Sequence, residues 1–270
     1  MDFAVAEALL QATGLGKRFG GLAAVDGVSL ELHVGEIHAV IGTNGAGKST
    51  LINMLSGETA PSAGSVRFAG HDVTRWSQPR RARAGLGRSY QRTTIFPEFS
   101  AAENCRLAAQ SRSPRAWSVW ESAARDRDGL AEAMRALEAA GLATEAGQVA
   151  GTLSHGAKRQ LEIAMCLATR PRVLLLDEPL AGMGSEETGR MLGLLGALKA
   201  NHAILLVEHD MDAVFRVADR ITVMVNGQVI ASDRPESIRN DPAVQLAYLG
   251  SDEARTPAAG AAALPPVDRR

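Results

Sequence analysis

Ile37–Leu55 reads IHAVIGTNGAGKSTLINML, and this stretch decides the fold. Ile37 to Ile41, apolar apart from His38, runs straight into glycine, which predicts a short buried strand opening into a loop. Gly42 to Thr50 then fits G-x-x-x-x-G-K-[ST], the P-loop pattern. Its glycines let backbone N–H groups turn inward around phosphate oxygens. Lys48 adds a cation at the β- and γ-phosphates, and Ser49 is placed to ligate Mg²⁺. Lys48 to Leu55 reads as a helix whose positive end faces the same anion. A glycine-rich turn with an incidental lysine would need neither the strand before it nor the helix after it.

Three further apolar runs lie downstream: Val173–Leu176 (VLLL), Ile204–Val207 (ILLV) and Ile221–Val225 (ITVMV). Helical material separates them, which predicts a parallel sheet covered on both faces. Ligands of such sheets bind at the carboxyl ends of the strands. Asp177 and Glu178 stand at the end of the first run, where Asp177 suits a Mg²⁺ shell and Glu178 can face an attacking water. Glu208-His209-Asp210 ends the second, which sets His209 near the γ-phosphate, although a lone histidine after a strand is ordinarily a solvated loop residue. Val28–Leu32 and Gly64–Gly70 alternate as half-buried strands do. Asn226-Gly227 before Gln228-Val229-Ile230 predicts a hairpin.

The middle of the chain is helical in pattern. Ala101–Gln110 reads as a helix, and Leu130–Ala140 carries Leu130, Met134 and Leu137 on one face before Gly141 stops it. Much of the remainder to Gln148 also reads as helix, broken by the Ser/Pro/Arg-rich stretch from Ser111 to Trp120. Leu161–Thr169 reads as a partly buried helix ahead of Pro171. Ser251–Arg270, rich in Ala, Pro and Gly, reads as a disordered tail.

Composition narrows the function classes. The 270 residues carry 29 Lys plus Arg against 30 Asp plus Glu, so no global charge pulls the chain to nucleic acid or an anionic membrane, and no nucleic-acid partner is expected. Cys105 and Cys166 imply neither a zinc cluster nor a disulfide framework. No apolar run reaches the roughly 18 residues of a membrane span, and the first residues lack the positive flank of a signal peptide. The expectation is a cytosolic chain that serves a membrane, if at all, by docking on another protein.

With these motifs in order, the sequence resembles the ATP-binding subunits of ABC transporters from about Leu10 to Gly250. Gln91, in GRSYQ, matches the Q-loop. Leu153-Ser154-His155-Gly156 matches the LSGGQ signature. Asp177-Glu178 matches Walker B with its catalytic glutamate, LAGMG at Leu180 to Gly184 the D-loop, and His209 the switch histidine. Phe19 stands where the family places an aromatic that stacks on adenine. Thr43 replaces the usual P-loop proline, His155 the first signature glycine and Gly184 the common D-loop aspartate. RSYQRTTIF (Arg88–Phe96), LEIA (Leu161–Ala164), LAGMGSEET (Leu180–Thr188) and DPAVQLAYLG (Asp241–Gly250) are similar to the longer ATPase of branched-chain amino-acid importers.

The resemblance implies an α/β P-loop NTPase core with a mixed, mainly parallel sheet, an N-terminal antiparallel β-subdomain and a helical subdomain. The core would span residues 1–91 and 171–250, the helical signature subdomain 92–170 and the tail 251–270. It implies ATP hydrolysis with Mg²⁺. Phe19, Asn44, Gly45, Ala46, Gly47, Lys48, Ser49 and Thr50 would hold the nucleotide. Ser49, Gln91 and Asp177 would hold the metal, while Glu178, His209, Gln91 and Lys48 carry catalysis. Ser154 also suits a helix N-cap, and with Gly156 it would complete the site of a second, homologous ATPase subunit. The implied partners are that subunit, transmembrane permease subunits and, indirectly, a periplasmic or extracellular binding protein. The chain would then sit at the cytoplasmic face of the inner (plasma) membrane. A soluble ATPase of the same type, as in iron–sulfur assembly, and an exporter ATPase for lipid or lipopolysaccharide remain the alternatives.

Overall fold

The computed structural model describes residues 8–90, 94–112 and 127–253. Gln91 and most of the Ser111–Trp120 break therefore lie outside the described residues, as does the chain after Glu253. In order, the chain forms β1 (Leu10–Phe19), β2 (Leu22–Leu32), β3 (Ile37–Gly42), α1 (Lys48–Ser56), β4 (Ala63–Phe68), β5 (His71–Asp72), α2 (Gln78–Ala84) and β6 (Leu86–Arg88). Helices α3 (Ala101–Gln110), α4 (Arg127–Ala139) and α5 (His155–Ala168) follow. The last part runs β7 (Val173–Asp177), α6 (Ser185–Leu198), β8 (Ala203–Val207), α7 (Met211–Val217), β9 (Arg220–Val225), β10 (Gln228–Asp233), α8 (Pro235–Arg239) and α9 (Pro242–Glu253).

Among the described residues there are two sheets. One is antiparallel, in the order β2-β1-β4-β5. The other runs β10-β9-β3-β8-β7-β6, parallel from β9 to β6, with β10 antiparallel at its edge. The apolar runs of β3, β7, β8 and β9 are continuous because each strand is buried on both faces. Ile37, Ala39, Ile41, Leu174, Leu176, Ile204 and Leu206 pack toward the helices. Val40, Val173, Leu175, Leu205 and Val207 pack on the opposite face, where α1 and the antiparallel sheet cover them. His38 shares that second face. It is buried, bonds Glu31 O of β2 at 3.0 Å through Nδ1 and Thr222 Oγ1 of β9 at 2.8 Å through Nε2, and so ties the two sheets together.

Strand β1 was invisible to alternation for a local reason. Its buried residues are Leu10, Ala12 and Leu15, and the pairing with β2 shifts register between Ala12 and Leu15, where Gly14 stands at φ +58°. That bulge breaks the period of two. Strand β6 has three residues, too few to show any period, and exists through its ladder to β7. The Asn226-Gly227 hairpin forms as expected, both residues lying at positive φ (48° and 82°), as a tight primed turn requires.

Three expectations need correction. The helix α4 forms, but its buried face is Ala133, Ala136 and Leu137, with Ala140 buried just beyond its end, while Leu130 and Met134 are 48% and 39% exposed. Small alanines let α4 approach its neighbours α3 and α5 closely, which a Leu/Met stripe would prevent. The stretch from Gly141 to Gln148 is a run of turns, not helix: Gly141 at φ +74° lets Leu142 N bond Leu137 O at 2.8 Å and closes α4. At the other end, α9 carries helical backbone through Glu253, so the expected tail cannot begin at Ser251.

Candidate functional site

The phosphate loop joins β3 to α1, and its glycines are demanded by neighbours. A Cβ on Gly42 would lie 2.1 Å from Met224 O. One on Gly47, at φ +99°, would lie 2.3 Å from Ala24 O of β2. The loop is held further by Gly227 N, which donates to Ala46 O at 3.0 Å. Lys48 is buried and donates to Gly42 O at 2.7 Å and Thr43 O at 3.2 Å. Since Thr43 contributes its carbonyl here, its exchange for proline leaves the cradle intact. Burial pushes the Lys48 pKa down, while Glu178, Asp177 and Glu208 push it back up: the lysine faces three acids from the ends of β7 and β8.

Asp177 ends β7 and is buried. Desolvation pushes its carboxyl pKa up, against the pull of the Arg88 guanidinium, which lies 3.7 Å away. Arg88 is itself gripped by Ser56 Oγ at 2.7 Å, Asn53 Oδ1 at 2.6 Å and Glu58 Oε2 at 2.6 Å. One arginine on β6 thus joins the phosphate-loop helix to the acid at the end of β7. Asp177 N donates to Ser89 Oγ at 3.3 Å.

Glu178 follows at φ +49°, a left-handed conformation that costs a side-chain-bearing residue of order 1 kcal/mol or more and that clusters at functional sites. Its N–H donates to Val207 O at 2.9 Å, and its Oε1 lies 3.9 Å from His209 Nδ1. His209 is 59% exposed at its side chain, whereas the neighbouring Glu208 is fully buried. The structure therefore brings together Lys48, Asp177, Glu178 and His209.

Ser154 caps α5, its Oγ accepting from Ala157 N at 3.1 Å. Gly156 N donates to Glu187 Oε1 of α6 at 3.1 Å, and a Cβ on Gly156 would lie 2.6 Å from that oxygen. His155 Cε1 stands 3.2 Å from where a Gly182 Cβ would be. The partners of the signature turn thus come from α6 and the loop before it, and Ser154 itself remains exposed. Gly184 is the N-cap of α6. Phe19 is 53% exposed at the end of β1, with Lys17 Nζ 5.2 Å above its ring, so an aromatic face is open to stacking. Gln91 lies outside the described residues.

The donor set suits Mg²⁺. Ser49 offers a hydroxyl and Asp177 a carboxylate, both hard oxygen ligands, beside a loop whose bound phosphate, with water, would supply the remaining oxygens. Among the described residues no cluster of three His, Cys, Asp or Glu forms an all-protein cage. Arg88, Glu208 and Glu187 join the site without having been expected there. An acid directly after an all-apolar strand was the trace available in the sequence for Glu208; Arg88, one of several arginines and on a strand too short to show a period, left none.

Known proteins resemble this chain over most of its length. The family model described as ABC transporter matches residues 25–181, and that described as Branched-chain amino acid ATP-binding cassette transporter matches residues 228–254. The high-affinity branched-chain amino acid transport ATP-binding protein BraF of Pseudomonas aeruginosa is 39% identical over 250 residues, 90% of this chain and 98% of that protein. LivG of Escherichia coli K12, of the same description, is 40% identical over 253 residues, 91% and 99% of the two chains. Among solved structures, a nucleotide-free ATP-binding cassette from an ABC transporter superposes with a TM-score of 0.81 at 30% identity over 90% of this chain and 99% of that one. The ADP conformation of the cassette MJ1267 gives the same TM-score, identity and coverage. The dimeric cassette MJ0796 shares the fold at 22% identity and a TM-score of 0.71, over 84% and 98% of the two chains.

Proposed function

We propose that this chain, which belongs to the ABC transporter family and hydrolyses ATP, energises the import of branched-chain or related amino acids. The observation that carries the importer reading is the match of residues 228–254 to the branched-chain model, in a chain similar to BraF and LivG over nine-tenths of its length. It would work as one of a pair of homologous ATPase subunits beneath two permease subunits, at the cytoplasmic face of the plasma membrane, served indirectly by a substrate-binding protein. Among the described residues no helix is long and apolar enough to cross a membrane, so attachment falls to the permeases. We read residues 92–170 as the helical subdomain that receives them, 1–91 with 171–250 as the nucleotide-binding core, and the chain beyond Glu253 as the tail.

Each residue then has a task. Phe19 stacks on adenine. Backbone N–H groups from Asn44 to Thr50, with Lys48, hold the phosphates. Ser49, Asp177 and Gln91 would hold Mg²⁺. When bound, Mg²⁺ neutralises charge on the β- and γ-phosphate oxygens. Glu178 accepts a proton from water as the water oxygen attacks the γ-phosphorus; the bond to the β-bridging oxygen breaks, and ADP and phosphate leave. His209 contacts the γ-phosphate and links its presence to closure. Ser154 and Gly156 complete the partner's site. The closeness of Lys48, Asp177, Glu178 and His209 supports these roles.

In cells lacking the gene, labelled-leucine uptake should fall and return with the parental chain. Glu178→Gln should bind ATP as tightly but fail to restore uptake, with turnover lower on the order of 1,000-fold. Undiminished uptake without the gene would overturn the cargo, and parental turnover in Glu178→Gln the role of the base.

A further inference from the structure

Glu208 is a fully buried acid for which the reaction above has no use. It follows β8, an all-apolar buried strand, and its side chain is closed to solvent. Oε1 accepts from Leu180 N at 2.8 Å, and Oε2 accepts from His209 N at 3.2 Å, with His209 Nδ1 3.8 Å away. The two donors belong to different loops. Leu180 lies in the turn after β7, two residues past Glu178, and His209 in the turn after β8.

The intervening residue is Pro179, which has no N–H. The first two N–H groups after β7 are therefore those of Glu178 and Leu180. Glu178 N is taken by Val207 O at 2.9 Å, and Leu180 N by the side chain of the very next residue, Glu208. Where the sheet ladder ends, a carboxylate extends it by one rung, and the same carboxylate holds the backbone of His209. A buried acid accepting two N–H bonds fixes both donors more rigidly than a solvated loop could. Glu178, at its strained positive φ, is thus over-determined from both sides.

We propose that Glu208 is a positioning residue that sets the separation of Glu178 and His209 by clamping the turns that carry them. This rests on the roles assigned above to those two residues. The clamp requires two acceptor oxygens. Glutamine supplies one, and its amide NH₂ would oppose an N–H, so one donor is orphaned while size and shape are kept.

The test is a double-mutant cycle in the full chain, reading kcat and the affinity for a fluorescent ATP analogue. Glu208→Gln should lower kcat by on the order of 100-fold with nucleotide affinity within about twofold, since misplacement of about 1 Å is enough for such a loss. In a His209→Ala background the same substitution should lower kcat by clearly less than in the parental chain, because the part of its effect that runs through His209 is already gone. A fully additive loss, or parental kcat in the single variant, overturns the clamp. If His209→Ala itself leaves kcat unchanged, the role of His209 fails and takes the proposal with it, a result distinct from failure of Glu208 alone. Should Glu208→Gln not fold, Glu208→Asp, which keeps both oxygens but shortens the reach, carries the same cycle: a loss that shrinks without His209 supports the clamp, and an additive loss overturns it.

Discussion

At the residue scale the site is organised by buried charge more than by the residues that meet ATP. Arg88 shows this. Its side chain is 8% exposed, and it holds Asn53 and Ser56 of α1, Glu58 just beyond, and the carboxylate of Asp177. Removing it leaves Asp177 buried without that cation, whereas Glu58, 44% exposed, can turn to water. Arg88→Met should therefore lower the unfolding free energy by about 3 kcal/mol, measured by denaturant titration. It should also weaken Mg²⁺-dependent ATP binding more than binding without Mg²⁺. Equal weakening would mean that Arg88 braces α1 and does not place Asp177. None of these partners could be read from the sequence, in which Arg88 is one cation among many near the Q-loop.

At the scale of elements, two helix starts carry the same chemistry. Ser100 caps α3 in a reciprocal box with Glu103, whose Oε2 accepts from Ser100 N at 2.8 Å. Ser154 caps α5 through Ala157 N. Each serine→alanine change should cost about 1 kcal/mol of stability. Ser154→Ala should in addition abolish ATP-driven pairing of two chains, followed by analytical ultracentrifugation in a Glu178→Gln background, while Ser100→Ala leaves pairing as it was. Equal pairing in both variants would reduce Ser154 to a cap. The elements themselves were mostly legible, because glycine stops, apolar runs and caps are local. The failures were local in cause too: the bulge in β1 hid its alternation, and the alanine face of α4 looked less buried than the leucine and methionine beside it.

On the scale of the whole molecule, the two sheets meet through the histidine at the root of the phosphate loop. Desolvation pulls the His38 pKa down to about 4, only partly offset by its bond to Glu31 O. An unfolded histidine titrates near 6.5, so between these values the unfolded chain binds more protons. The contribution is complete above about pH 6.5 and is lost as pH falls from there toward 4, by on the order of 3 kcal/mol. His38→Gln should flatten that part of the stability–pH curve relative to the parental chain. Parallel curves would show that His38 is not buried neutral.

By itself the sequence determined the pieces whose physics is confined to a few neighbouring residues. These are the glycine cradle with Lys48 and Ser49, the apolar strands of a covered sheet, the acids at their ends, and the Asn226-Gly227 turn. Which of those pieces touch was decided only in three dimensions. Ser89 meets Asp177 across 88 residues of chain and Leu180 meets Glu208 across 28, and β6 is a strand only because β7 lies beside it. A hydrogen bond between distant segments depends on the closure of the whole sheet. No local pattern records it, and so the clamp, the arginine brace and the buried histidine had to await the fold.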